Sequence, residues 1–300
     1  MNPGWYILNY HDISWEDSAY TRAIGGNLPP DIFRSHLDAL NQNARLVSVP
    51  DGFQRFRQGK IDEPLVSFWF DDGLAGVRKY ALPLLEQVGV KGAMSVNSKF
   101  MLREELFWRS KLSFLTFTDG MRFLRSKLRP LGFKTDRSIR SFTLDHFSDK
   151  IVTNIDDVYT KFTSELDRQD AYRLFEDVNG IAELQRSGWE LANHSASHYP
   201  VSEDSYIEHF GTEFARCESA LEQHLGQNTR FWVIPFDRKG KRSPNLQQVF
   251  EQSDDRDRTL VLVGHKVNTS LQKQGNLLYR IYPPYEDGSG LIRYLDKVND

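Results

Sequence analysis

The sequence predicts an α/β fold: a distorted (β/α)7-type barrel of parallel strands, interrupted by an α-helical insertion. Three observations carry this. Short apolar runs of strand length alternate with runs of helical periodicity along most of the chain. About seven such strands occur, a number that suits a closed or nearly closed barrel. Residues 101–178 break the rhythm, with helical patterns and no convincing strand between them.

The elements follow in order. "WYILNY" (5–10) is a buried strand. "PPDIFRSHLDALNQNA" is a helix, with Ile32, Phe33, Leu37 and Leu40 at helical spacing behind a Pro-Pro-Asp start. "RLVSV" (45–49) is strand-like and "DGFQRFRQG" a short helix or turn. "PLVSFWF" (64–70) is a second buried strand, "GVRKYALPLLEQVG" a helix ending near Gly89, and "KGAMSVN" a strand. The insertion then brings "MLREELFWRSKLSFLTF", "GMRFLRSKLRPLGF" and "IDDVYTKFTSELDRQDAYRLFEDV". Its aromatics Phe107, Trp108, Phe114, Phe117 and Phe123 read as its own core rather than a ligand surface. "GIAELQRSG" is a helix, "WELANH" a strand, and "VSEDSYIEHFGTEFARCESALEQHLG" a long amphipathic helix. "RFWVIP", "TLVLVG" and "LLYRIY" are strands, and "GLIRYLDKV" a closing helix. The whole is one barrel domain over residues 1–300, with no repeat or low-complexity segment.

Composition sets limits. The 300 residues are 39% apolar and 26% charged, which is ordinary globular usage and enough for a sizeable core. A formal net charge of −3 disfavours nucleic acid and anionic membrane surfaces as partners. One cysteine, Cys217, excludes an intramolecular disulfide and a cysteine metal cluster. The opening "MNPGWYILNYHD" has no signal-peptide pattern, and no apolar run approaches the ~20 residues of a membrane helix. A soluble, cytoplasmic protein is the expectation.

In a parallel barrel, chemistry gathers at the C-terminal ends of strands. Two such ends stand out. "SFWFDDG" sets Asp71 and Asp72 side by side behind an apolar strand. An Asp-Gly turn closing a hairpin is one reading, but helical periodicity follows Gly73. Two buried carboxylates are costly unless a cation or hydrogen bonds compensate them. "ELANHSASHYP" puts His194 and His198 four apart after another strand. In a helical turn they would point the same way. Alone, such a pair is often a surface or core feature. With a carboxylate at another strand end, two imidazoles complete a three-ligand site with an open position.

These stretches resemble the two leading motifs of the NodB-type polysaccharide deacetylases (carbohydrate esterase family 4). "YALPLLEQVGVKGAMSVN" and "GIAELQRSGWELANHSASH" extend the likeness. "YILNYHDI" is similar to the opening of the circularly permuted branch that acts on poly-N-acetylglucosamine. The resemblance covers roughly residues 5–100 and 178–285 and leaves out the insertion. It implies that Asp71 is the general base, and that Asp72, His194 and His198 bind a divalent metal. Zn2+ is the first choice, with Ni2+ or Co2+ as alternatives. Such an ion lowers the pKa of a bound water and polarises an amide carbonyl, and it keeps Asp71 ionised beside Asp72. "VIPF" aligns with the third motif, making the Phe236 amide the oxyanion donor. The proton for the departing amine is assigned to His11 of "NYHD", ahead of His265 of "VLVGHK".

The departures are specific. Val233 stands where the family's base-orienting arginine belongs, and Arg280 of "LLYRIYPP" is not expected to touch the base. No Asp-rich fourth motif is present in its ordinary place; "DDRD" (254–257) reads as a solvated loop. Asp12 either holds His11 or caps a turn. His36, His209 and His224 fall on amphipathic helices and read as solvated; His146 lies in the insertion without an assigned role. The resemblance implies a metal-dependent hydrolase that removes an N-acyl group, acetyl as the first choice, from a sugar. Without a secretion signal, the expected substrate is nucleotide- or lipid-linked, as in surface-polysaccharide or lipopolysaccharide assembly. A non-sugar amide hydrolase, or a non-catalytic carbohydrate-binding protein on a degenerate barrel, are the alternatives.

Overall fold

In the computed structural model, residues 1–298 are described except 17, 135–137, 239 and 254–256, and the side chain of 273. Among the described residues, seven of the eight strands in the main sheet form the barrel path: β1 (Gly4–Tyr10), β2 (Pro64–Phe70), β3 (Ala93–Val96), β4 (Glu190–Asn193), β5 (Phe231–Val233), β6 (Thr259–Val263) and β7 (Leu277–Arg280). They pair in chain order, each parallel to the next. The seam from β7 back to β1 is thin. Asn9 N–H donates to Ile281 O, and Ile281 N–H donates to Ile7 O, each at 2.8 Å. The barrel is thus nearly closed, as expected.

Side-chain parity builds two layers. Trp5, Ile7, Leu65, Trp69, Ala93, Ala192, Phe231, Val233, Val261 and Leu278 fill the interior. Tyr6, Leu8, Tyr10, Val66, Phe68 and Phe70 pack outward beneath the helices Pro30–Asn43, Leu82–Gln87 and Gly288–Lys297. Alternation of period two produces both faces from one strand. Continued upward, the inward parity reaches Asn9, Asp71, Ser95, His194 and Arg280, so the apolar interior ends in a polar layer.

Some elements differ from expectation. "RLVSV" forms only the two-residue strand Arg45–Leu46, because Ser48 caps the helix Val49–Gln58 by accepting from Asp51 N–H at 3.2 Å. The helix read over 201–226 begins at Phe210. The residues before it are held in turns, where Glu203 pairs with Arg238 (2.6 Å). His36 is buried rather than solvated: its Nδ1 meets Tyr10 OH (3.1 Å) and its Nε2 meets Glu286 O (2.6 Å) beneath the C-terminal segment. His224 is exposed, as expected, whereas His209 is half-buried and stacks on Tyr206 with ring centroids 4.1 Å apart. Of the "DDRD" loop, residues 254–256 lie outside the described residues. Cys217 is buried and unpaired.

Between β3 and β4 the chain forms helices over Trp108–Leu115, Gly120–Leu128, Ile139–Asp145, Asp149–Phe162 and Glu165–Tyr172. Leu112, Leu124, Leu128, Ile151, Ile155 and Val158 make a core there. The aromatic expectation divides. Phe114 packs against that core, whereas Phe117 and Phe123 are 48% and 56% exposed. Phe107 and Trp108 turn toward the barrel mouth, because the helix starting at Trp108 lies directly over it. Among the described residues no helix is long and apolar enough to cross a membrane.

Candidate active site

All seven strands are parallel, so their C-terminal ends share one face. Asp71, Asp72, His194, His198, Phe236 and His11 line one cavity of about 300 Å³ there. The structure brings together every site residue expected from the sequence except His265. That histidine is exposed and bonded to Tyr294 OH (2.6 Å) outside the cavity. His11 instead stacks on Tyr282, with ring centroids 5.7 Å apart.

The ligand atoms of Asp72, His194 and His198 all lie within 4.8 Å of one another. Asp72 Oδ1 is 3.4 Å from His194 Nε2 and 3.1 Å from His198 Nε2. It is buried, and no hydrogen bond of proper geometry satisfies it. A tetrahedral ion with bonds of 2.0–2.1 Å sets neighbouring ligand atoms about 3.3 Å apart, so this trio, with its unsatisfied carboxylate oxygen, fits a small divalent cation. His194 donates from Nδ1 to Val233 O at 2.9 Å, which leaves the Nε2 lone pair facing Asp72. Val233, standing where the arginine was sought, thus contributes its carbonyl. Burial holds His198 below the usual imidazole range, despite Asp72. Burial alone would also depress His194, but Asp71 and Asp72 outweigh it and raise it.

The histidine pair does not sit in a helical turn. Residues 194–198 form an irregular loop after β4, pinned by side chains. Asn97 donates to Ser195 O (3.1 Å), Asn193 accepts from Ser195 N–H (3.0 Å), and Glu213 accepts from Ser197 N–H (2.8 Å). Left-handed backbone concentrates here. Asp72 (φ 72°), Ser195 (65°), His198 (54°) and Phe236 (50°) are non-glycine residues at positive φ. Each such residue costs on the order of 1–3 kcal/mol and persists where surrounding structure enforces it.

Asp71 is held from three strands. Arg280 Nη1 donates to its Oδ1 at 2.5 Å, Ser95 Oγ donates to the same atom, and Asn9 Nδ2 donates to Oδ2 at 3.1 Å. Asn9 Oδ1 also accepts from Arg280 (2.8 Å). Arg280 therefore touches Asp71, contrary to expectation, and brings an arginine to it from β7 rather than from the third motif. Burial would raise the Asp71 carboxyl, but Arg280 first, then His194 and His11, hold it well below the usual carboxylate range. Asn9 and Ser95 were not foreseen; their signal was a polar residue at inward parity in an otherwise apolar strand. Among the described residues no hydrogen bond joins Asp12 to His11. Its carboxyl is buried beside Gly76, and its Oδ1 has no hydrogen-bond partner, so neither expected role is formed. Among the described residues the Phe236 N–H has no backbone acceptor. Its ring meets His198 edge-on at 4.5 Å. From the insertion, Phe107 packs on His198 (4.8 Å), and Trp108 Nε1 donates to His198 O (3.3 Å).

The polysaccharide deacetylase family model matches residues 58–252. The chain belongs to the polysaccharide deacetylase family. As a member it is a carbohydrate de-N-acetylase, a hydrolase of amide C–N bonds. Comparison with curated protein sequences finds no match. Solved structures share the fold. IcaB from Ammonifex degensii is 16% identical with a TM-score of 0.62, over 98% of each chain. The Streptococcus pyogenes deacetylase PplD, solved with acetate, is 14% identical with a TM-score of 0.61, over 98% of this chain and 99% of its own. A de-N-acetylase from Aggregatibacter actinomycetemcomitans is 15% identical with a TM-score of 0.62, over 97% of this chain and 99% of its own. In this deacetylase the matched segment carries Asp71, Asp72, His194, His198 and Phe236, while His11 and Arg280 lie outside it.

Proposed function

We propose that this deacetylase removes an N-acyl group, acetyl in the simplest case, from a sugar, using a divalent ion bound by Asp72, His194 and His198. One observation carries the reading: three convergent ligand atoms, one of them a buried carboxylate oxygen without a hydrogen bond, stand beside an arginine-held aspartate. A divalent ion such as Zn2+, or Ni2+ or Co2+, would supply Lewis acidity toward the amide carbonyl and acidify water.

The chain's own groups supply the rest. Asp71 stays ionised and accepts a proton from the attacking water, with Arg280, Asn9 and Ser95 fixing its orientation. The Phe236 N–H, free of backbone acceptors, donates to the developing oxyanion. As the C–N bond breaks, His11 gives a proton to the departing amine. Acetate and the free amino sugar are the products. The compact cavity, walled by the insertion, supports a small activated substrate. We assign the reaction to a nucleotide- or lipid-linked sugar in the cytoplasm, in surface-polysaccharide or lipopolysaccharide assembly.

The test compares wild type, Asp72→Asn and Asp71→Asn for bound metal and for acetate release from N-acetylated sugars. Wild type should retain metal and release acetate. Asp72→Asn should lose both. Asp71→Asn should keep metal and lose release by about 10²–10⁴-fold, the usual worth of a general base. Equal metal in wild type and Asp72→Asn would overturn the ligand assignment, and a metal-loaded wild type that releases nothing would overturn the function.

A further inference from the structure

Two arginines in the cavity have no part in the chemistry above. Arg109, on the helix Trp108–Leu115, and Arg140, on Ile139–Asp145, both line it alongside Asp72 and His11. Both come from the helical insertion, which the family motifs do not cover. Among the described residues neither has a carboxylate within ion-pair distance. Arg109 donates one long bond to Ile24 O (3.3 Å) and lies 5.3 Å from the Phe236 ring centroid. Arg140 donates one to Ala23 O (3.4 Å). A guanidinium has five N–H donors in a rigid fork, so most of these donors are uncommitted.

The charges around them are accounted for. Asp71 is matched by Arg280, and Asp72 faces two imidazoles. Burial, and then Arg140, lower Arg109 to about 10, so it remains charged at neutral pH. Two like charges gathered at one cavity wall repel unless an anion joins them. A carboxylate offers two oxygens and one charge, which a single guanidinium can fill. A phosphate offers more charge and three terminal oxygens, enough for two guanidinia to share.

We propose that Arg109 and Arg140 form a phosphate subsite, and that the N-acyl sugar reaches the active site carrying a phosphate or diphosphate ester. This rests on the de-N-acylation reading of the same cavity. The insertion is then the specificity element: it supplies the anion site while the barrel supplies the chemistry.

The experiment measures kcat/KM for acetate release from N-acetylglucosamine 1-phosphate, UDP-N-acetylglucosamine and a prenyl-diphosphate-linked N-acetylglucosamine. The neutral methyl glycoside of the same sugar is the reference. At least one phosphorylated substrate should be preferred by about tenfold or more at low salt, as two charge-assisted contacts warrant, and the preferred carrier identifies the source of the phosphate. The preference should shrink with added salt. It should also fall in Arg140→Ala, an exposed position that tolerates truncation, and further when Arg109→Gln is added. Equal use of neutral and phosphorylated sugars by wild type, or a preference untouched by Arg140→Ala and the double variant, overturns the subsite.

If no sugar is turned over, calorimetric titration of the full chain with N-acetylglucosamine 1-phosphate and with the methyl glycoside still decides. Tighter phosphate-dependent binding that the double variant loses supports the subsite while the proposed function fails. Equal affinity overturns the subsite alone.

Discussion

At the scale of residues, the site depends on how Asp71 is held. It is buried, and its charge is met by Arg280 at 2.5 Å with help from Asn9 and Ser95. Removing one partner of a buried pair costs roughly 3–5 kcal/mol, because the other charge is left uncompensated. Arg280→Met should therefore lower unfolding stability by that order in denaturant titration. It should also depress acetate release while metal content stays near wild type. Asp12 makes the opposite kind of prediction. Burial first, and Glu16 second, push its carboxyl up from 3.8 to about 7. The folded chain then holds that proton more tightly than the unfolded chain, so from about pH 4 to pH 7 this group makes stability fall as pH rises. Asp12→Asn should remove that slope and stabilise the protein near pH 7, by up to a few kcal/mol. Unfolding curves at pH 5 and pH 7.5 for both proteins check it. Asp71, Asp72, His194 and His198 were legible in sequence because each pair is local. Asn9, Ser95 and Arg280 were not, because their meeting depends on inward parity in three strands and on closure of the barrel.

At the scale of elements, local signals decided most boundaries, and packing decided the rest. β1 and β2 were read nearly to the residue, since continuous apolar runs bounded by polar turns have few alternatives. "RLVSV" was misread because Ser48, Pro50 and Asp51 start a helix more strongly than two β-branched residues extend a strand. That helix, Val49–Gln58, also shows how tightly elements meet. A methyl at Gly52 would lie 2.4 Å from the Trp5 indole, which Ser67 fixes by accepting from Nε1 at 2.8 Å. Gly52→Ala should destabilise by about 1–3 kcal/mol through overpacking, despite its better helix propensity. A shifted denaturation midpoint with unchanged slope would show this. His36 was misplaced for a related reason: amphipathic spacing shows the face turned to the sheet, not a second face covered by the C-terminal segment.

At the scale of the whole molecule, the candidate metal ligands join the ends of β2 and β4, on either side of β3 and the helical insertion. An ion bound only by the folded chain stabilises it by about 2.7 kcal/mol at a hundredfold excess over Kd. Zn2+ should therefore raise the melting temperature of metal-stripped protein by several degrees, about 5 °C or more. A chelator should reverse the rise, and Asp72→Asn should show little of it.

The sequence by itself determined the barrel class, the helical insertion and the strand ends that carry Asp71, Asp72, His194 and His198, because periodicity and short motifs are local. Tertiary structure alone decided that Arg280 from the last strand grips Asp71, that His11 rather than His265 faces the cavity, and that Phe107, Arg109 and Arg140 wall it. Those outcomes follow from parallel pairing, which lifts every strand end to one face, and from the path of helices laid across it. Neither is written in the spacing of neighbouring residues.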